Sequence, residues 1–326
     1  MEEKDVVQLF NIIDKTTSVI QQEESETYLD SLTRSLEAMF FEITDEPLGD
    51  KGQHIVDTSL TDINVDQLDK TTIRKAVQLA ILKGMKEATQ PQHLMTPETI
   101  AMFIGYLAEK LTKDMKDVRL FDPVSGTANL LLIVLEQLKN STKAYGNEID
   151  PTLLKLALLH ANLQQKEVEF FHQDSMRPFL LDPVDLVVAD LPVGYYPDDI
   201  RANDFELKAD EGHSYAHHLI MEQSFMYTKE GGYLIFIIPE SLFQSEQADK
   251  LHAFMKKHAH IIGLLQLSDT LFKGKEQKKS IFILQKKGPE TKEVKQPLLA
   301  MLPSFQDGPK MENMLLQINN WFEENM

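Results

Sequence analysis

Residues 119–150 read RLFDPVSGTANLLLIVLEQLKNSTKAYGNEID, and the reading of this stretch decides the fold. Val118, Leu120 and Phe121 make a short apolar strand. Pro123, Ser125, Gly126 and Thr127 interrupt it with turn residues and a helix-capping side chain, and Leu130 to Leu138 supplies an apolar helix. A second strand over Ala144 to Asn147 ends at Glu148, 26 positions after Asp122. Strand, tight turn, helix and strand make half of an α/β nucleotide-binding unit. An acceptor-only carboxylate at the end of the second strand is suited to taking both hydroxyls of a ribose.

The turn narrows the choice of ligand. Only Gly126 sits in it, where a dinucleotide fingerprint has three glycines that let the backbone approach a pyrophosphate. Asp122, at the carboxyl end of the first strand, suits a ligand that carries positive charge. S-adenosylmethionine has an ammonium, a sulfonium and a ribose, and its one carboxylate suits a helix N-terminus. The alternative is an ordinary βαβ crossover with a capped helix.

Composition bounds the rest. The 326 residues, 42% hydrophobic, suffice for one large domain plus a smaller one. With no cysteine, neither a disulfide framework nor thiolate chemistry is available. The N-terminus, MEEKDVVQLF, lacks a signal-peptide core, and no apolar run approaches the ~20 residues that span a bilayer, so no membrane association and a cytoplasmic location are expected. The net charge of −18 puts the chain at a global disadvantage with DNA, whose affinity for proteins comes largely from Lys and Arg on phosphates. Any DNA contact must be local. The one dense basic run is Lys273, Lys275, Lys278 and Lys279, with a solvated loop as its alternative reading.

Three amphipathic faces precede the opening motif: Val6, Leu9, Phe10 and Ile13; Leu29, Leu32, Leu36, Met39 and Phe40; and Ile73, Val77, Ala80, Ile81 and Met85. They predict a helical N-terminal domain over residues 1–90, a candidate surface for a protein partner or a second copy of the chain. Between them, Thr44 to Asp62 is expected to be a long loop or an irregular hairpin because of Pro47, Gly49 and Gly52. Thr96 is expected to be the N-cap, and Pro97 the first residue, of a helix that buries Ile100, Phe103, Ile104 and Leu107. After Glu148, Asp150 and Pro151 start another helix with a wide apolar face. Further strands follow at Val168–Phe171, Asp185–Ala189, Tyr233–Ile238, Ile261–Leu267 and Ile281–Leu284. Asp174 falls just beyond the third strand, so Asp122, Glu148 and Asp174 share the edge where ligands bind in open α/β folds; Asp174 suits an adenine amino group. The segment after Asp190 runs to about Ser214, long enough for a functional lid or rim. The connection from the sixth to the seventh strand contains no helix, which predicts an antiparallel pair in an otherwise parallel, doubly wound sheet of seven strands. The binding domain then covers residues 91–290, and residues 291–326 add a strand and a helix packed on it.

With these residues in place, the chain resembles the N6-adenine DNA methyltransferases, in particular the modification subunits of type I restriction systems and their stand-alone relatives without an evident target-recognition domain. The resemblance covers roughly Gln92 to Lys287 in motif order: MTPETIAMFIGYL, FDPVSGTANLL, YGNEIDPTLLKLALLHANL, DLVVADLPVGYYP and EGGYLIFIIPESLF. It implies the class I methyltransferase fold and S-adenosyl-L-methionine as cofactor. The implied cofactor-binding residues are Thr96, Asp122, Pro123, Ser125, Gly126, Thr127, Asn129, Leu130, Glu148, Ile149, Asp174 and Ser175. Asp190, Leu191, Pro192 and Tyr195 would form the catalytic segment, with Asp190 and Pro192 lying where methyl donor meets acceptor.

Two departures from the family pattern stand out. Ala128 takes a position that is usually glycine, a mild change if it already lies in the helix. The catalytic pattern of Asn or Asp, Pro, Pro, then Phe or Tyr is here Asp190, Leu191, Pro192 and Val193. Asp190 keeps the side-chain acceptor and Leu191 the carbonyl that together hold an exocyclic amine. The aromatic residue that would stack on a flipped base is missing, and such stacking is worth about 1–3 kcal/mol per base. Tyr195 or Tyr196 is the substitute within reach. Two functions follow: a methyltransferase acting on an amino nitrogen, or a cofactor-binding interaction module with little or no DNA methylation. The turn sequence disfavours a nicotinamide oxidoreductase. His213, His217 and His218 cluster without a cysteine and are expected to be polar loop and helix residues, with no metal site.

Overall fold

Strand β1 (Asp117–Asp122) lies near the middle of an eight-stranded sheet of order β3-β2-β1-β4-β5-β7-β6-β8. The structure is a computed structural model that describes residues 2–41, 48–62, 68–87, 95–268 and 278–326. The other strands are β2 (Ser141–Asn147), β3 (Val168–Phe171), β4 (Val184–Asp190), β5 (Thr228–Pro239), β6 (Ala259–Gln266), β7 (Lys279–Lys286) and β8 (Leu298–Met301). Strands β1 to β5 pair in parallel; β7 runs antiparallel to both β5 and β6. The expected seven strands are present, and the tail supplies the eighth, β8, parallel to β6. Each parallel strand delivers its last residue to one edge. Because β7 is inverted, it brings its first residue, Lys279, to that same edge, where it pairs with Pro239 at the end of β5.

Helices cover both faces, and apolar burial accounts for each. Helices α5 (Glu98–Thr112), α6 (Asn129–Gln137) and α11 (Gly308–Asn325) pack on one face through Ile104, Leu107, Leu131 and Ile318. Helices α9 (Ala216–Tyr227) and α10 (Ala248–His258) pack on the other through Leu219, Phe225 and Phe254, with the short α8 (Asp199–Ala202) near them. Helix α7 (Pro151–Leu163) is apolar around much of its circumference because two neighbours bury it. Ala157 and Ala161 belong to the sheet-side core, whereas Leu153, Leu156, Leu159 and Leu163 join the core of the N-terminal helices. Asp150 caps α7, accepting from the amides of Thr152 and Leu153, with Pro151 in the first turn as expected.

The N-terminal unit consists of α1 (Glu2–Glu24), α2 (Tyr28–Phe41), α3 (Asp50–Asp62) and α4 (Lys70–Glu87). Helix α3 corrects the expected loop or hairpin over residues 44–62, of which residues 44–47 lie outside the described segments. The Glu23 carboxylate accepts from the amides of Lys51 at 3.3 Å and Gly52 at 2.8 Å. The glycine therefore sits in a capped first turn rather than in a break. The unit is joined to the α/β body by Thr152 Oγ1 donating to Asp30 at 2.6 Å and by the Arg74–Glu98 ion pair at 2.6 Å. No helix among the described residues is long and apolar enough to cross a membrane.

Ala128 is not inside α6. It precedes the helix as its N-cap in the left-handed region, at φ 61°, two residues after Gly126 at φ 54°. A Cβ there costs roughly 1–2 kcal/mol. Substituting glycine removes that strain but also removes a buried methyl worth about 0.8 kcal/mol and loosens the unfolded chain by a further ~0.4–1 kcal/mol. Ala128→Gly is therefore expected to fall within about 1 kcal/mol of the parent in urea denaturation, although Ala128 is fully buried. Ala128→Val is expected to lose more than ~2 kcal/mol, since a β-branched side chain is worse placed there and overfills the core.

Candidate active site

Four carboxylates stand along the carboxyl edge of the sheet: Asp122 ends β1, Glu148 follows β2, Asp174 follows β3, and Asp190 ends β4. Asp122 is 1% exposed, and one oxygen accepts from the Val124 amide at 3.0 Å. Burial pushes its pKa well above the usual carboxylate range; the charges of Glu148 and Asp190 add to the rise against the Val124 bond. Among the described residues no cation pairs with this carboxyl group, which is the environment a positively charged ligand relieves.

Glu148 does not project freely from its strand. Its Oε2 accepts from the Gly126 amide at 2.8 Å, and its Oε1 accepts from the amides of Ile149 and Asp150, both at 2.9 Å. These bonds fasten the β1 turn to the start of α7. A carboxylate has about four lone-pair sites, so three amides leave room for one hydroxyl more comfortably than for two.

Asn147, which the sequence reading left as a strand residue, holds the loops together. Its buried Nδ2 lies 3.0 Å from the Pro123 carbonyl, the Gln173 carbonyl and the Ser175 hydroxyl, while its own carbonyl accepts from the Ser125 amide at 2.8 Å. Ser175 is turned inward, donating to the Pro123 carbonyl at 2.7 Å. Pro123, Ser125 and Ser175 therefore shape the turn from behind. Leu130 is likewise 3% exposed within the core beneath α6. Thr127 is buried with no hydrogen-bond partner on its hydroxyl among the described residues, and its carbonyl lies 3.2 Å from His160 Nδ1. Burial lowers the His160 pKa to about 4, so that ring is neutral.

Thr96 does not cap α5, whose N-cap is Pro97 with no side-chain bond. Its hydroxyl instead donates to Asp190 Oδ2 at 3.0 Å, and its carbonyl accepts from Asn129 Nδ2 at 2.7 Å. Asn129 Oδ1 in turn accepts from Gln78 of α4 at 2.5 Å. A hydrogen-bonded line therefore runs from the N-terminal helices to the end of β4. The other oxygen of Asp190, Oδ1, is 2.6 Å from Lys279 Nζ, with the two side chains 16% and 30% exposed. Lys279 had been grouped with a basic loop facing phosphate; it is on β7 and engaged with Asp190. Lys273 and Lys275 lie outside the described residues.

The segment after Asp190 is tied down. The Leu191 amide donates to the Ile237 carbonyl at 3.1 Å, the Tyr196 amide to Ser214 at 2.8 Å and the Ala216 amide to Gly194 at 2.9 Å. Glu222 accepts from the amides of Glu206 at 2.8 Å and Leu207 at 2.7 Å. Of the two expected roles, lid or rim, these bonds describe a rim. His217, neutral because burial lowers its pKa to about 4, bonds to the Pro192 carbonyl. His218 is buried beside it with its pKa lowered to about 3.

The two tyrosines part company. Tyr196 is 7% exposed, and its hydroxyl donates to Asp174 at 2.5 Å, while the other Asp174 oxygen accepts from the Met176 amide at 2.9 Å. Both Asp174 oxygens therefore already have partners within the chain. Tyr195 is 55% exposed and stacks on Tyr215, with centroids 4.9 Å apart and planes 12° apart. Val193 and Ile149 stand open at the rim, 51% and 61% exposed.

With this geometry in place, comparisons place the chain among known proteins. The family model described as N-6 DNA Methylase matches residues 83–312, and the YtxK N-terminal helical domain matches residues 7–85. An uncharacterised protein of Bacillus subtilis (strain 168), YtxK, is 45% identical over 99% of this chain and 99% of its own length. A Listeria monocytogenes crystal structure, proposed as a class I S-adenosylmethionine-dependent methyltransferase, is 40% identical, with TM-score 0.90 over 98% of this chain and 99% of that one. The methyltransferase subunit of a Streptococcus thermophilus type I restriction-modification system shares the fold at 14% identity, with TM-score 0.65 over 96% of this chain and 74% of that one. An eight-stranded sheet with one inverted strand, four carboxylates along its carboxyl edge and a family model spanning most of the sequence lead to one assignment: the chain belongs to the N-6 DNA methylase family.

Proposed function

We propose that this protein binds S-adenosylmethionine at the edge formed by β1, β2 and β4 and transfers its methyl group to an exocyclic amino nitrogen of the adenine-N6 type. The observation that carries the reading is Asp190. It ends β4 beside the cofactor turn, with one oxygen fixed by Thr96 and the other by Lys279.

The residues present fit such a cofactor. Among the described residues, Asp122 is a buried carboxyl group with no paired cation and the buried Thr127 hydroxyl has no partner, while Glu148 retains acceptor capacity next to Gly126. When bound, S-adenosylmethionine supplies a methyl group on a positively charged sulfur. The protein then has to orient an amine that is a weak nucleophile because its lone pair is delocalised into the ring. Asp190 accepts one N–H, the Leu191 carbonyl serves the other, and the bond from the Leu191 amide to Ile237 fixes that peptide.

A second reading, a cofactor-binding interaction module, draws support from Val193 and Tyr196. The first gives a base little to stack on, and the second is committed to Asp174. Tyr195 is the exposed aromatic residue left in the segment.

Two measurements test the proposal. S-adenosylmethionine at about 100 times its dissociation constant should stabilise the fold by roughly 2.7 kcal/mol, seen as a raised melting temperature. Glu148→Gln is a better probe than Glu148→Ala, since alanine would strand three backbone amides; the thermal shift should shrink in Glu148→Gln. Labelled-methyl transfer to adenine-containing single strands and duplexes then separates the two readings. Binding with no transfer to any nucleic acid supports the module or a different amine.

A further inference from the structure

The resting state of Asp190 is unusual for a residue meant to hold an amine, because an ammonium is already there. Lys279 reaches it as a consequence of topology: β7 is the inverted strand, its first residue stands opposite Pro239, and Asp190 stands opposite Ile237 on the same β5. Nζ lies 2.6 Å from Asp190 Oδ1. That bond saturates neither partner. A carboxylate oxygen has a second lone pair, and an ammonium has three hydrogens, of which this bond uses one.

Resting on the methyltransferase reading above, we propose that Lys279 is a specificity-determining residue: with Asp190 it forms an acceptor–donor couple that recognises an amino group attached beside a ring nitrogen. Asp190 accepts an amine hydrogen, and Lys279 donates to the neighbouring ring nitrogen. Adenine (N6 with N1) and cytosine (N4 with N3) present that edge. Guanine presents the reverse order, and an alkyl amine has no adjacent acceptor. The couple supplies by hydrogen bonding some of the hold that an aromatic residue at position 193 would give by stacking.

It also assists the chemistry. The amine lone pair forms the new C–N bond to the methyl carbon, the C–S bond breaks with its electrons staying on sulfur, and the amine proton passes to Asp190. Lys279 contributes by holding the ring edge so that the amine stays in line with the methyl group.

The competing explanation is that Lys279 merely balances the charge of a partly buried carboxylate. Labelled-methyl transfer by the full chain to oligonucleotides containing adenine, 1-deazaadenine (N1 replaced by C–H) or 7-deazaadenine separates the two. The expected result is a loss of at least tenfold on 1-deazaadenine, with 7-deazaadenine close to adenine. Lys279→Met should lower the rate on adenine and erase the difference, while Lys279→Arg keeps part of it. An S-adenosylmethionine-dependent thermal shift in Lys279→Met shows that the variant is folded; if it is not, the wild-type comparison of the three bases decides alone. Equal rates on adenine and 1-deazaadenine, or a discrimination unchanged in Lys279→Met, overturn this proposal and leave the methyltransferase reading standing. Absence of transfer to every base overturns both.

Discussion

Asp190→Ala is expected to abolish methyl transfer, by about 10²–10⁴-fold, while cofactor affinity stays within about tenfold. On the proposed reading the acceptor of the amine proton is lost, but Asp122 and Glu148 keep their own bonds to the Val124 and Gly126 amides. The same substitution leaves the Lys279 ammonium and the Thr96 hydroxyl without the partner each has at 2.6 Å and 3.0 Å. Some loss of stability should therefore accompany the loss of activity. The double variant Asp190→Ala/Lys279→Met is expected to recover stability without recovering transfer, which separates the chemical role from the structural one. Asp190→Asn, which the family pattern admits, keeps an acceptor for the amine and should keep measurable transfer. Robust transfer by Asp190→Ala would move the acceptor site elsewhere.

Asp122→Asn is expected to make the ligand-free protein more stable and the cofactor complex much weaker. The sign follows from the raised pKa. Relative to an unfolded aspartate near 3.9, folding favours the protonated form of Asp122, so its contribution is fully present below that value. The contribution is lost as pH rises through the higher folded pKa. Asparagine cannot ionise, yet still offers an oxygen to the Val124 amide, so it avoids the loss at neutral pH. The cost appears in binding. A charge-assisted hydrogen bond is worth roughly 1.5–3 kcal/mol, about ten- to hundredfold in the dissociation constant. A cationic ligand should also displace the proton from Asp122, so wild-type affinity should rise with pH across its titration and that slope should vanish in Asp122→Asn. Calorimetric titration at several pH values, beside melting curves, measures both effects; an unaltered pH slope in the variant would exclude Asp122 as the linked group.

Much of the α/β body was legible because its signals are local. Every strand named from the sequence is present within a few residues, since short apolar runs bounded by turn residues are what a doubly buried parallel strand requires. The inverted β7 followed from the absence of a helix before it. The misreadings were tertiary. Helix α3 was hidden because the residue that caps its first turn, Glu23, lies 29 positions before Gly52. Thr96 before Pro97 carries a strong capping signal, yet the hydroxyl is drawn to Asp190, 94 positions away. The sequence leaves open whether Ala128 lies inside α6, because single-residue φ values leave no mark on hydrophobic pattern; it is the N-cap at φ 61°. At the site, the antiparallel pair already puts the run of lysines near the carboxyl edge, as a loop for phosphate or solvent; the β5–β7 register shows that Lys279 is instead the first residue of β7, paired with Asp190. Asn147 does end β2, but its second role was hidden, because hydrogen bonds to the loops after β1 and β3 have no sequence period.

Helix α7 carries a last consequence, for the order in which the chain is made. Helices α1 to α4 leave the ribosome before α7, yet Leu153, Leu156, Leu159 and Leu163 belong to their core, and Asp30 finds Thr152 122 residues later. Until α7 emerges, α1, α2 and α4 form a bundle with one wall missing, and its apolar lining faces solvent. Chain synthesis at about 5–20 residues per second makes that interval several seconds. Helices made before α7 are therefore completed only after it, and their exposed leucine- and isoleucine-rich faces are where a nascent-chain chaperone would be expected to act.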